Sequence, residues 1–207
     1  MSASKSDTRQ RILDAAVDLF SRKGYAAVSV REIARAVGIK ESSMYNHFRS
    51  KAEVMESVLD FYQAEMAKSR PPEETIVDKL AAVSAEPFLR IGFERTMSIM
   101  ADPTMEKITR IILMEQFRDE RARKMVLNTI TQSLPFLEKI FASMIQMGLI
   151  KPLDPKVLAV EYQYPLNTMF LEYTILKYDG LSTSEVEKRM SDHISFFVAR
   201  VSAKAQG

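Results

Sequence analysis

The sequence predicts an all-α protein. An N-terminal three-helix unit carries a helix-turn-helix, and a larger C-terminal helical domain follows. Three observations predict this. Apolar residues recur at i, i+3, i+4 and i+7 through nearly all of the 207 residues. No stretch alternates polar and apolar long enough for a strand. Capping-box pairs, a Ser or Asp followed three residues later by Glu or Gln, fall three times within the first 53 residues. Hydrophobic residues are 46% and charged residues 27% of the chain, enough apolar matter for one large or two small domains.

The first helix is expected over residues 8–23. Its apolar stripe is Ile12, Ala15, Ala16, Leu19 and Phe20, with Asp7 and Gln10 as its box and Gly24 as its stop. Ser29 with Glu32 opens a second helix, and Ser50 with Glu53 opens a fourth, running to about residue 69. A short third helix lies between them, after a tight turn at Gly38 that needs a positive φ. Arg70-Pro71-Pro72-Glu73-Glu74 then breaks the chain. The expected domains are therefore residues 1–51, a connector helix over 51–69, and residues 70–207. Pro87, Pro103, Pro135 and Pro155 punctuate helices of about 75–85, 87–101, 104–118, 119–132, 134–148 and 155–179, and a last helix covers about 183–203. Pro165 is expected to kink the long helix.

Residues 29–51 carry the chemistry. With Ile33, Ala34, Val37, Ile39, Met44 and Phe48 facing inward, Ser42, Ser43, Asn46 and His47 are pushed outward along the third helix. Short donors and acceptors there reach base edges in a major groove. Tyr45 and His47 can donate to phosphate oxygens, and Arg31 and Lys51 add full charges. The N-termini at Ser29 and Ser50 offer positive dipole ends. Charge agrees: residues 1–51 hold ten Lys and Arg against five Asp and Glu, a net +5, which leaves −3 for the rest of a chain of net +2. The partner implied is double-stranded DNA.

Residues 8–55 resemble the TetR family of transcriptional regulators. The resemblance runs through Ile12-Leu13-Asp14-Ala15-Ala16, Leu19-Phe20, Gly24-Tyr25, Val30-Arg31-Glu32-Ile33-Ala34 and Val37-Gly38-Ile39. It ends on the most specific stretch, Tyr45-Asn46-His47-Phe48-Arg49-Ser50-Lys51. It implies a DNA-binding domain, a connector helix, and a C-terminal domain that dimerises and usually binds an inducer. It also implies that Tyr45, His47 and Lys51 touch phosphates. The chain departs from the pattern at Lys40, where a Ser or Thr commonly caps the third helix, at Ser42, and at Glu41, an acid beside the phosphates. Lys40 is read as a phosphate contact that replaces the cap.

In the C-terminal domain, Val186, Met190, Ile194, Phe197 and Val201 form a narrow seam at spacings of 4, 4, 3 and 4. The preceding helix is apolar on more than one side. Together they are expected to form half of an intersubunit four-helix bundle, giving a homodimer that reads a palindromic operator. The alternative is packing within one subunit. Met97, Met100, Met114, Phe117, Met144, Tyr164 and Asn167 are the expected lining of a pocket for a small apolar or amphipathic effector, the alternative being plain core. Such an effector acts only by preferring a conformation that mismatches the operator.

Other functions find little in the sequence. With no Cys, two His (His47 and His193) and no Gly-rich phosphate loop, no catalytic site, cofactor or metal is expected. Glu115 and Glu120, like Glu185 and Glu187, read as solvated pairs. A non-specific architectural DNA-binder would need more positive charge, whereas regulation by a protein partner, or without ligand, fits the same fold. The N-terminus has no apolar run and no segment is apolar enough to span a membrane, so a cytoplasmic, nucleoid-associated protein is expected.

Overall fold

The computed structural model describes residues 5–72, 75–131 and 133–203. Its helices are α1 (Lys5–Lys23), α2 (Val30–Val37), α3 (Glu41–Met44), α4 (Lys51–Ala67), α5 (Ile76–Val83), α6 (Ala85–Met100), α7 (Pro103–Glu115), α8 (Glu120–Thr131), α9 (Ser133–Gln146), α10 (Pro155–Tyr178) and α11 (Ser184–Val201). Among the described residues there is no strand, only an antiparallel bridge between Ile150 and Ser202. No described helix is long and apolar enough to cross a membrane.

Local signals set these bounds. The Ser29 side chain accepts from the Glu32 N–H, and the Glu32 carboxylate takes the Ser29 N–H at 2.8 Å, a complete box. The Ser50 box is only half as expected. Ser50 accepts from Glu53 N–H at 3.1 Å, but the Glu53 carboxylate reaches back to the Arg49 N–H, one residue further. At α1 the expectation fails, because the helix begins at Lys5 and the Gln10 side chain donates to Asp14 instead. Gly38 closes α2 at φ 77°, as its position requires. Asp102 and Asp154 cap α7 and α10, each followed by a proline that had no N–H to satisfy. α10 runs unbroken through Pro165.

The helices form two compact units. Residues 1–68 and 98–126 make one; residues 69–97 and 127–207 make the other. The break at Arg70 is therefore only one of three crossings. The first unit is larger than the expected 1–51 because α7 packs on α1 and α4 and supplies Met105, Ile108 and Ile111 to their core. Opposite them lie Ile12, Ala16, Phe20, Val54 and Met55, all nearly or wholly buried.

In the second unit α10 packs on α9 and α11. Phe141, Tyr162 and Phe197 meet there with ring centroids 5.3–5.9 Å apart. The expected dimer seam of α11 lies inside this core. Val186, Met190, Ile194, Phe197 and Val201 are all buried within one chain, so the seam is not available to a partner. The uncovered apolar face belongs to α10. Val157, Glu161, Tyr164, Thr168, Leu171, Ile175 and Tyr178, at alternating spacings of 4 and 3, are all exposed.

Candidate nucleic-acid interface

Burial of one side of α2 and α3 builds this face. Ile33, Ala34, Val37, Met44 and Phe48 are buried, and Ser42, Tyr45 and Asn46 are consequently exposed. Ser43 and His47 are half-buried rather than outward, and the His47 Nδ1 is buried without a partner. As a regular helix α3 is one turn, shorter than expected. Its hydrogen bonding continues past Tyr45 through His47 N–H to the Met44 carbonyl at 2.9 Å and Phe48 N–H to the same carbonyl at 3.0 Å. Lys40 stands at its N-cap, exposed and making no side-chain cap. Arg31, Arg35 and Arg49 are exposed near these residues in sequence.

Both helix N-termini flanking the face already hold carboxylates, Glu32 at α2 and Glu53 at α4. An anion arriving there meets the resident negative charge of these boxes. The Glu32 carboxyl is held at about 2, chiefly by the Ser29 backbone N–H and next by the Lys23 ammonium 2.9 Å away. Its pKa is depressed in the fold, so its contribution to α2 is complete above the ordinary glutamate range near 4.5 and is lost only as pH falls through about 2. A carbon NMR titration should therefore find the Glu32 carboxyl ionised at pH 3.5; protonation already complete there would contradict the box.

Lys51 sits differently from the phosphate contact expected of it. Its Nζ donates to the carbonyls of Tyr25 at 2.8 Å and Val28 at 2.7 Å, and lies 4.3 Å from the Tyr25 ring centroid. Burial lowers its pKa. The ammonium thus ties the start of α4 to the α1–α2 turn. Glu115, read from sequence as a solvated carboxylate, is 2% exposed and accepts from the Tyr25 N–H at 2.9 Å. Only the fold brings it to Tyr25, 90 positions away.

The seven residues proposed to line a pocket do not share one environment. In the first unit Met100 is buried core, whereas Met114 is exposed and Phe117 is 85% exposed. In the second, Met144 is fully buried core and Met97 packs partly buried against that core, but Tyr164 faces out. Asn167 accepts from Gln163 at 2.7 Å, and its Nδ2 is buried without a partner. The open groove of about 310 Å³ along α1 and α2 is charged, lined by Arg11, Asp14, Asp18 and Arg22 among others.

Residues 12–58 match the family model for bacterial regulatory proteins of the tetR family. This stretch of the chain is a TetR-type DNA-binding domain. A transcriptional regulator of Pseudomonas putida, SrpR, is 40% identical over 57 residues, which cover 28% of this chain and 27% of SrpR. YerO of Bacillus subtilis is 33% identical over 75 residues, covering 36% of this chain and 26% of YerO. The chain thus spans about a quarter of the length of these curated relatives. The fold likeness is longer. SmeT, the repressor of the Stenotrophomonas maltophilia multidrug efflux pump SmeDEF, has a TM-score of 0.65 at 18% identity over 98% of this chain and 93% of SmeT. SmeT has also been solved as a triclosan complex. The relatives matched over this stretch are transcriptional regulators, and the solved structures share the fold.

Proposed function

We propose that this chain is a dimeric repressor that reads a palindromic operator with α3 and is released by a small apolar or amphipathic ligand. The observation that carries the reading is the exposed row of Ser42, Tyr45 and Asn46 on a TetR-family helix-turn-helix. Ser42 and Asn46 read base edges, and Ser43 supports them at the rim of the groove. Arg31, Lys40 and Tyr45 meet phosphates, with His47 donating from the ring nitrogen opposite its buried Nδ1. Ser29 and Lys51 act from behind. They fix the start of α2 and the α1–α2 turn so that the exposed row keeps its place.

One recognition helix reads only a few base pairs, so a second copy is required for genomic specificity. The exposed face of α10 receives that copy, taking the role expected of the α11 seam. SmeT binds triclosan, which supports an amphipathic effector here. Binding in a nucleoid-associated, cytoplasmic setting follows from that role.

The test is fluorescence anisotropy with a duplex enriched from a random 30-base-pair library by the protein itself, against a scrambled duplex, across a salt series. The enriched duplex should bind about a thousandfold tighter. Asn46→Ala should lose that preference, while Arg31→Ala should weaken both duplexes and lower the salt slope by about one. Equal affinity for both duplexes would refute sequence-specific reading.

A further inference from the structure

Tyr25 is held at every polar backbone atom and on its ring, and the groups that hold it come from three helices. Its N–H donates to the Glu115 carboxylate at the end of α7, at 2.9 Å. Its carbonyl accepts from Lys51 at the start of α4, at 2.8 Å. Its ring packs edge-on against Phe20 of α1, with centroids 5.3 Å apart, and beneath the Lys51 ammonium. The approach is close-fitting. A Cβ on the preceding residue, Gly24, would sit 3.3 Å from the Glu115 oxygen, so glycine there admits the carboxylate.

A second tie comes from the same corner of the chain. Asp119 accepts from the N–H groups of Arg121 and Ala122 and pairs with the Arg121 guanidinium, which donates to the Ala52 carbonyl at 3.3 Å. Residues 115–121 therefore grip both ends of the segment that carries the recognition face: the turn before α2 and the first residues of α4.

We infer that Glu115 is a positioning residue of the DNA-binding face, fixing the α1–α2 turn by its bond to Tyr25; this rests on the DNA-binding reading above. A carboxylate this buried is costly to keep unless its partners are in place. Removing it leaves the Tyr25 N–H without an acceptor, and the turn loosens where α2 begins. The carboxylate touches no base and no phosphate. It acts only through the placement of α2 and α4 around α3.

The experiment compares Glu115→Met, which keeps volume but offers no acceptor oxygen, with Glu115→Gln, which keeps an oxygen for Tyr25. Ile111→Val, a fully buried position on the same helix, serves as the destabilised control. Amide hydrogen exchange reads the Tyr25–Val28 turn, and anisotropy reads affinity for the duplex enriched by the wild-type chain. Glu115→Met should raise exchange at Tyr25 and weaken the enriched duplex about tenfold. Glu115→Gln should restore most of both, and Ile111→Val should leave affinity unchanged. Should Glu115→Met not fold, Glu115→Ala is read in the same way. Unchanged exchange at Tyr25, or faster exchange with wild-type affinity, overturns the inference. A wild-type chain that binds no duplex overturns the DNA-binding reading itself, a result distinguishable from either.

Discussion

Phe141→Ala should lower the unfolding free energy of the C-terminal unit by about 3–5 kcal/mol. The ring is fully buried at the meeting of α9, α10 and α11. It lies 5.9 Å from the Tyr162 ring and 5.5 Å from the Phe197 ring, and those two are themselves in edge contact. Truncation loses the transfer term of a phenyl group and leaves a cavity that three helices cannot easily close. It also loses two ring pairs, each contributing about 0.5–1.5 kcal/mol. The measurement is urea unfolding followed by tyrosine signals, since the chain has no Trp. Phe141→Leu should cost under about 1.5 kcal/mol by the same reading. A loss under about 1 kcal/mol for the alanine variant would show that the cluster is not the centre of that unit.

The same cluster explains which parts of the fold were legible in the sequence. Helix ends were readable because their signals are local: Ser29 with Glu32, Gly38, and Pro103 and Pro155 act within four residues of themselves. The stripe of α11 was also readable, but not its partner. A spacing of 4, 4, 3 and 4 says that one face is covered; it does not say by which chain. Here Phe141 and Tyr162 of the same chain cover it. The signal for the outward face lay in α10, whose apolar residues exceed one stripe. Leu158, Tyr162 and Leu166 are buried, while Val157, Leu171 and Ile175 remain uncovered.

At the recognition face the residue types were legible and their engagements were not. Lys51 reads as a free cation in sequence, yet two backbone carbonyls hold it. Glu115 looked like one of many helix-end carboxylates, because nothing local marks a contact with the turn at Tyr25. The pocket residues failed for a related reason. Met and Phe mark apolar surroundings without telling core from cavity, so Met144 proved to be core and Phe117 surface.

If the chain is the dimeric repressor proposed above, Leu171→Arg combined with Ile175→Arg should yield a monomer and weaken operator binding by about 10²- to 10⁴-fold. Both side chains lie in the exposed 4-3 row of α10, 44% and 53% exposed, with Val157, Tyr164 and Tyr178 on the same face. A helix of 24 residues extends about 36 Å, long enough for two copies to bury a stable interface. Paired arginines across a two-fold axis place like charges opposite one another in a desolvated contact, so association is lost while each chain keeps its core. The monomer still carries one α3 and one set of phosphate contacts, and it binds half-sites at the affinity of a single module. What disappears is the second half-site held at high local concentration. Light scattering reads the mass, and anisotropy on whole and half operators reads the affinity. Ile194→Ala separates this from simple damage. Its side chain is wholly buried within one chain, so it should cost about 2–5 kcal/mol of stability yet leave the mass of the assembly unchanged. Dissociation by Ile194→Ala with stability intact would return the interface to α11. A double-arginine variant that stays dimeric would remove α10 from it.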